Sequence, residues 1–251
     1  MAKVISLHSF RGGTGKSNIT ANLSTVLALT GKRVGIVDTD IQSPGIHVIF
    51  KLGEERVVHT LNDYLWERCR ISESTYDVTP PEATEGKIYL VPSSIKVSEI
   101  SRVLHEGYDA RLLKDGFKDL IQELSLDYLM IDTHPGLNEE TLLSIAISHT
   151  LIIILRPDQQ DFQGTSVTLE VARKLGVPNT FLVLNKVLPD LEADAYRAQL
   201  RETYNTQVGA VLPLATEIVR LASADVFCLL EPQHPFSQEI KALGQTLIAL
   251  E

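Results

Sequence analysis

The sequence predicts an α/β fold: a doubly wound, mostly parallel sheet flanked by helices on both faces. Three observations carry this prediction. Short apolar runs alternate with amphipathic helical stretches almost throughout the chain. The first run, Val4 to Leu7, enters a glycine-rich turn that opens into a helical pattern, Asn18 to Leu29. Two later runs end in acidic residues, at Asp38-Thr39-Asp40 and at Asp132. Such sheets bind ligands outside the carboxyl ends of their strands. The 251 residues suit one large domain, residues 1–251, with a sizeable core.

Composition narrows the function classes. Hydrophobic residues make up 44% and charged residues 22%, ordinary values for a globular protein. The net charge of −9 argues against attraction of nucleic acid by the whole surface, so DNA contact needs a local basic patch. Cys69 and Cys228 lie far apart with no metal or redox spacing and read as reduced thiols, as in the cytoplasm. Met1-Ala2-Lys3-Val4 lacks a signal-peptide layout. No apolar stretch approaches the ~20 residues of a membrane span.

The stretch Phe10-Arg11-Gly12-Gly13-Thr14-Gly15-Lys16-Ser17 has the strand–turn–helix context of a phosphate-binding loop. Its three glycines let successive N–H groups turn inward, and the new helix adds its N-terminal partial charge. Gly12, Gly13, Thr14, Gly15, Lys16, Ser17 and Asn18 are therefore candidate nucleotide-binding residues. Lys16 is placed to reach the β- and γ-phosphates of ATP, and the Ser17 hydroxyl to sit on Mg²⁺. Phe10 stands where a standard loop begins with glycine. The stretch instead resembles the deviant Walker A box, Lys-Gly-Gly-x-Gly-Lys-Ser/Thr, of the ParA/MinD ATPases. In that family the first lysine crosses a dimer interface to the partner's nucleotide. Arg11 occupies that position here, and the resemblance implies the same role for it. A guanidinium keeps the charge and forks well onto phosphate oxygens.

Further along, Gly31-Lys32-Arg33 stops the first helix, and Val34 to Val37 is the second buried strand. The Asp38-Thr39-Asp40 carboxylates at its end suit Mg²⁺ coordination through water and activation of a hydrolytic water. They resemble the family's Walker A′ motif. That resemblance assigns Asp40 to the attacking water and Asp38 to the Mg²⁺ shell or its orientation, a division that spacing leaves open. Ile41 to Gly45 reads as a switch loop, Thr60 to Leu65 as a short helix and Ser72 to Gly86 as a surface loop. Lys87 to Val91 is the third strand, followed by helices over Lys96 to Val103 and Asp109 to Leu124. The run 127–132, continuing into Thr133-His134-Pro135-Gly136, has the layout of a Walker B strand with its switch II loop. Asp132 then holds a Mg²⁺ water, and Gly136 offers an N–H to the γ-phosphate. A lone loop histidine is more often exposed, so His134 is left out of the catalytic set.

Leu151 to Leu155 is a fifth strand, and Gln159 to Gly164 resembles the loop that meets the partner subunit in sandwich dimers. Helix Thr165 to Leu175 leads into strand Thr180 to Leu184 and then Asn185. Asn185 resembles the family's adenine contact, since an amide pairs both a donor and an acceptor; a satisfied loop asparagine is the competing reading. Val208 to Leu212 is the last strand, and Pro213 walls the base pocket.

The binding surface is read from the C-terminal third. Arg197 and Arg201 share a helix face at i, i+4, and Thr216 to Leu221 resembles the segment carrying a DNA-binding arginine, here Arg220. Asp190, Glu192, Asp194, Glu202 and Glu217 are interspersed, which also suits a merely solvated face. The final helix, Ser237 to Leu250, has only Lys241 as a cation and is expected to pack on the core rather than on membrane. The resemblance as a whole implies an ATP- and Mg²⁺-dependent ATPase that forms a homodimer around ATP and binds non-specific DNA on the nucleoid. It further implies that an adaptor of the McdB or ParB type stimulates hydrolysis so that cargo is positioned, with no stable membrane anchor. Loss of the signature lysine resembles the carboxysome-positioning McdA branch. The alternatives are a MinD-like membrane-surface ATPase and a dethiobiotin- or cobyrinate-type synthase on the same scaffold. The two cysteines match no motif of an iron–sulfur carrier.

Overall fold

In a parallel sheet covered by helices, each strand is buried on both faces, so its sequence reads as a continuous apolar run. The computed structural model, which describes residues 2–188 and 192–250, has this architecture. The strands are β1 (Lys3–His8), β2 (Arg33–Asp38), β3 (Tyr76–Asp77), β4 (Lys87–Val91), β5 (Tyr128–Asp132), β6 (Thr150–Leu155), β7 (Asn179–Val187) and β8 (Gln207–Pro213). They form one sheet in the order β3-β4-β2-β5-β1-β6-β7-β8, parallel except for the β3–β4 pair. The helices are α1 (Lys16–Leu29), α2 (Ile46–Ile49), α3 (Leu61–Leu65), α4 (Val97–Glu106), α5 (Ala110–Glu123) and α6 (Glu139–Ala146). They continue with α7 (Gln159–Lys174), α8 (Ala193–Tyr204), α9 (Thr216–Leu221), α10 (Phe227–Leu230) and α11 (Pro235–Ile248).

Strand periodicity divides the core. On β5, Met130 joins one face with Leu23 and Leu27 of α1 and Ile240 and Leu243 of α11. Its neighbours Leu129 and Ile131 join the other, against Leu113, Phe117 and Leu120 of α5. Farther along that second face, Leu151 and Ile153 of β6 meet Leu169 of α7 and Leu200 of α8. The central strand β1 lies between β5 and β6, so the loop leaving it opens at the middle of the carboxyl edge. The apolar stripe of α11 is used up in the core, as expected, with Ile240, Leu243 and Leu247 buried. Among the described residues no helix is long and apolar enough to cross a membrane.

Four local expectations are corrected. The segment 72–86 is not all loop: it contains β3, which pairs antiparallel with β4. The Tyr76 hydroxyl holds this edge by accepting the N–H groups of Val58 and His59 at 2.8 and 2.9 Å. A two-residue strand is too short to leave a periodic signal. Helix α7 begins at Gln159 rather than Thr165, because Asp158 caps it by accepting from Gln160 N and Asp161 N. Gly164 therefore sits inside a helix, where any Cβ would overlap the Phe10 ring. Strand β7 runs on to Val187, so Asn185 and Lys186 lie within it rather than beyond its end. Helix α6, unanticipated, is fixed by the Asn138 side chain accepting from Thr141 N.

Candidate active site

The glycine-rich turn leaves β1 and enters α1 through Gly15, whose φ of 98° belongs to the left-handed region. Two side chains of β7 hold the turn from outside. Asn185 Nδ2 donates to the Thr14 carbonyl at 2.7 Å, and Lys186 Nζ donates to the Gly13 carbonyl at 2.8 Å. In a trans peptide the carbonyl and the following N–H point in opposite directions. Holding the Gly13 and Thr14 carbonyls outward therefore aims the Thr14 and Gly15 N–H groups into the turn, the arrangement an anion needs. A Cβ on Gly15 would lie 2.6 Å from Asn185 Nδ2, so this approach also requires glycine. Lys16 is buried at 7% exposure, with its neighbour Ser17 at the start of α1.

Three carboxylates face this loop. Asp38 and Asp132 are register partners at the ends of β2 and β5, and Leu7 of β1 is level with Asp132. Burial, then the charges of Asp132 and Asp40, holds the Asp38 carboxyl well above the usual carboxylate range. Burial pushes Asp132 up to about 6, against the pull of the Lys16 ammonium and the Ser17 and Thr20 hydroxyls. Asp132 Oδ1 accepts from Thr20 Oγ1 at 3.3 Å, whereas the buried Oδ2 has no partner. An orphaned anionic oxygen among crowded acids fits a nearby cation. Among the described residues no three His, Cys, Asp or Glu side chains form a metal cage of their own. Mg²⁺ fits such a site because it keeps waters and phosphate oxygens in its shell and takes only one or two protein carboxylates.

The third carboxylate has a partner that sequence reasoning missed. His134, expected to be exposed, is 21% exposed at the side chain, and its Nδ1 lies 2.7 Å from Asp40 Oδ1. His8 was missed as well. It is buried at the end of β1, bonds Thr133 Oγ1 at 2.9 Å and is pushed down to about 3 by burial and the nearby Lys16 and His134 charges. No periodic or spacing signal marks either histidine, since both are placed by strand neighbours remote in sequence.

The remaining candidates fall as follows. Asn185 lines a cavity of ≈ 180 Å³ with Asn18, Pro213, Ala215, Ile218 and Phe236, beside the loop's outer edge. Its amide donates one N–H to the Thr14 carbonyl and accepts the Lys186 N–H, so it anchors the loop and keeps a second N–H and a carbonyl lone pair. Gly136 N–H donates to the Ser9 carbonyl at 3.1 Å rather than standing free. Arg11 is exposed and donates to the Gln160 side chain at the start of α7, the segment whose resemblance suggested a partner contact. Arg197 is not available as a surface cation. Its guanidinium pairs with Glu239 at 2.8 Å and donates to the Val208 carbonyl at 3.2 Å, because this helix face packs against β8 and α11. Arg201 and Arg220 are exposed. Asp190 lies outside the described residues.

Asn185→Ala is expected to lower stability by about 1–3 kcal/mol by orphaning the Thr14 carbonyl. For a chain of this size that is a fall of roughly 2–10 °C in melting temperature, measured without nucleotide. An unchanged melting temperature would show that the loop does not depend on this anchor.

A family model described as an AAA domain matches residues 2–180. The chain belongs to this family, that of the ParA/MinD ATPases. The septum site-determining protein MinD of Bacillus subtilis is 29% identical over 160 residues, which are 63% of this chain and 54% of that protein. Pyrococcus horikoshii MinD, solved with Mg-ADP, superposes on this ParA/MinD chain with a TM-score of 0.83 at 22% identity, covering 100% of this chain and 97% of that one. A McdA variant from Cyanothece, solved with ATP, gives 0.76 at 17% identity, covering 99% and 96%. At these identities the two structures speak for the shared fold.

Proposed function

We propose that this protein is a Mg²⁺-dependent ATP hydrolase that closes ATP between two copies of itself and, so assembled, binds DNA without sequence preference. The observation that carries this reading is the buried Lys16 in an inward-facing amide loop, set against Asp38, Asp40 and Asp132. Phosphoryl transfer asks the protein mainly for positioning and charge. The loop amides and Lys16 hold the β- and γ-phosphates. Ser17, Asp38 and Asp132 would hold Mg²⁺, and the ion would neutralise charge on the phosphate oxygens. Asp40 Oδ2, which accepts no hydrogen bond among the described residues, orients the attacking water and receives its proton. Pro213 and its neighbours wall the base. Arg11, exposed beside Gln160, reaches the partner's nucleotide across the dimer.

For the surface, Arg201 and Arg220 carry the DNA contact without Arg197. Binding to a random duplex is expected with ATP and not with ADP, and weaker at higher salt. Arg201→Glu combined with Arg220→Glu should lower it at least tenfold. Equal binding with every nucleotide, or none with any, would remove DNA from the reading. The McdA-like reading, with a McdB- or ParB-type adaptor, a carboxysome cargo and a nucleoid location, is supported by Arg11 in place of the signature lysine and by the likeness in fold. A metabolic synthase is the second reading. It is favoured by a cavity of ≈ 140 Å³ beside the end of β4, lined by His47, Ser93, Ser94, Lys96 and Glu99, which could take a small polar acid. Sustained ATP turnover without an organic substrate counts against it.

A further inference from the structure

We propose that His134 is the positioning residue of Asp40: its Nδ1–H locks one carboxylate oxygen so that the other faces the attacking water. The inference rests on the hydrolase reading above and deepens it. Asp40 lies two residues beyond the last residue of β2, so the strand ladder does not hold it. Its local restraints are its own N–H, donated to Asp38 Oδ1 at 3.1 Å, and the Ser43 N–H, which donates to Oδ1 at 3.2 Å. The first ties its backbone to the end of β2 and the second comes from its own turn. Thr39 holds the backbone there to the Asp132 carbonyl at 2.9 and 3.1 Å, which leaves the Asp40 side chain to be oriented. The restraint from elsewhere is His134, 94 residues away, with Nδ1 at 2.7 Å from the same Oδ1.

The hydrolase reading uses Asp40 as a carboxylate, which only accepts, and on that reading Nδ1 is the donor of this bond. Two donors on Oδ1 fix the carboxylate plane and leave Oδ2 free of protein partners among the described residues. The histidine is itself held. The Thr141 hydroxyl donates to its carbonyl at 3.4 Å, and Gly136, two residues on, donates to Ser9 at 3.1 Å. The bond therefore latches the loop after β2 to the loop after β5, and through Ser9 to the phosphate loop. A carboxylate free to rotate spends little time aimed at a reacting water, so losing the latch lowers the chemical step and leaves nucleotide binding alone.

The test is steady-state MgATP hydrolysis by the full chain, with ATP affinity and melting temperature measured on the same samples. His134→Ala should lower kcat roughly 10- to 100-fold with KM within about twofold, as expected for a charge-assisted hydrogen bond. His134→Asn, whose Nδ2 falls near the position of Nδ1, should recover most of that loss. His134→Gln fills the space but sets its amide one bond farther out, and should not. In an Asp40→Ala background, His134→Ala should cost nothing more. Unchanged kcat in both the Ala and Gln variants would overturn the proposal and leave the hydrolase reading intact. A loss shared by kcat, KM and melting temperature, with no rescue by Asn, would reduce His134 to a structural role and also overturn it. No hydrolysis by the wild-type chain would overturn the hydrolase reading, and the positioning role with it.

Discussion

Lys16→Ala is expected to remove most of the ATP affinity, which should fall roughly 30- to 150-fold in calorimetry or in a fluorescent-nucleotide titration. The ammonium is the cation buried within the phosphate loop, whereas Arg11 and Lys186 beside it are exposed. Its removal deletes a charge-assisted contact worth about 2–3 kcal/mol in a partly desolvated site. The variant also loses the ammonium that holds down the Asp132 carboxyl, so the acids become harder to keep ionised together. The first consequence acts against the anionic ligand itself, and the second against the Mg²⁺ that accompanies it, because a protonated acid draws a cation less. Retained affinity would overturn the phosphate-loop assignment, whatever the fold.

Asp40→Ala separates binding from chemistry. ATP affinity should stay within a few-fold of wild type, because the role proposed for Asp40 is toward the attacking water and not toward the phosphates. Turnover should fall by about 100-fold or more, the usual contribution of a positioned general base. With hydrolysis stopped, the ATP-bound dimer should accumulate, visible as a doubled mass in light scattering with ATP and not with ADP. Normal turnover would remove Asp40 from the reaction and pass the water to another group. A loss of binding equal to the loss of turnover would instead make Asp40 a structural member of the site.

The contrast with Asn185 is informative. Both residues were legible as candidates, one from an Asp-x-Asp at a strand end and the other from a position after a later strand. Asp40 is found held through Oδ1, with Oδ2 free of hydrogen bonds among the described residues, whereas Asn185 is found with one N–H holding the Thr14 carbonyl. Residue type and spacing carry the possibility of a role. Only the hydrogen bonds made in three dimensions show that a candidate also anchors its neighbours.

What the chain by itself determined is what local pattern can encode. Runs such as Leu151 to Leu155 announce strands buried on both faces, and the glycines between Phe10 and Lys16 announce a turn around an anion. Asp38, Asp40 and Asp132 announce their place through the ends of those runs. Tertiary structure decided everything that rests on neighbours remote in sequence. It brought His134 to Asp40 across 94 residues and Asn185 to Thr14 across 171. It also spent Arg197 on Glu239 and set Phe10 against Gly164. Periodicity records which face of an element is dry, because burial repeats with the helix or the strand. A single hydrogen bond between two loops repeats with nothing, and so leaves no trace in the order of residues.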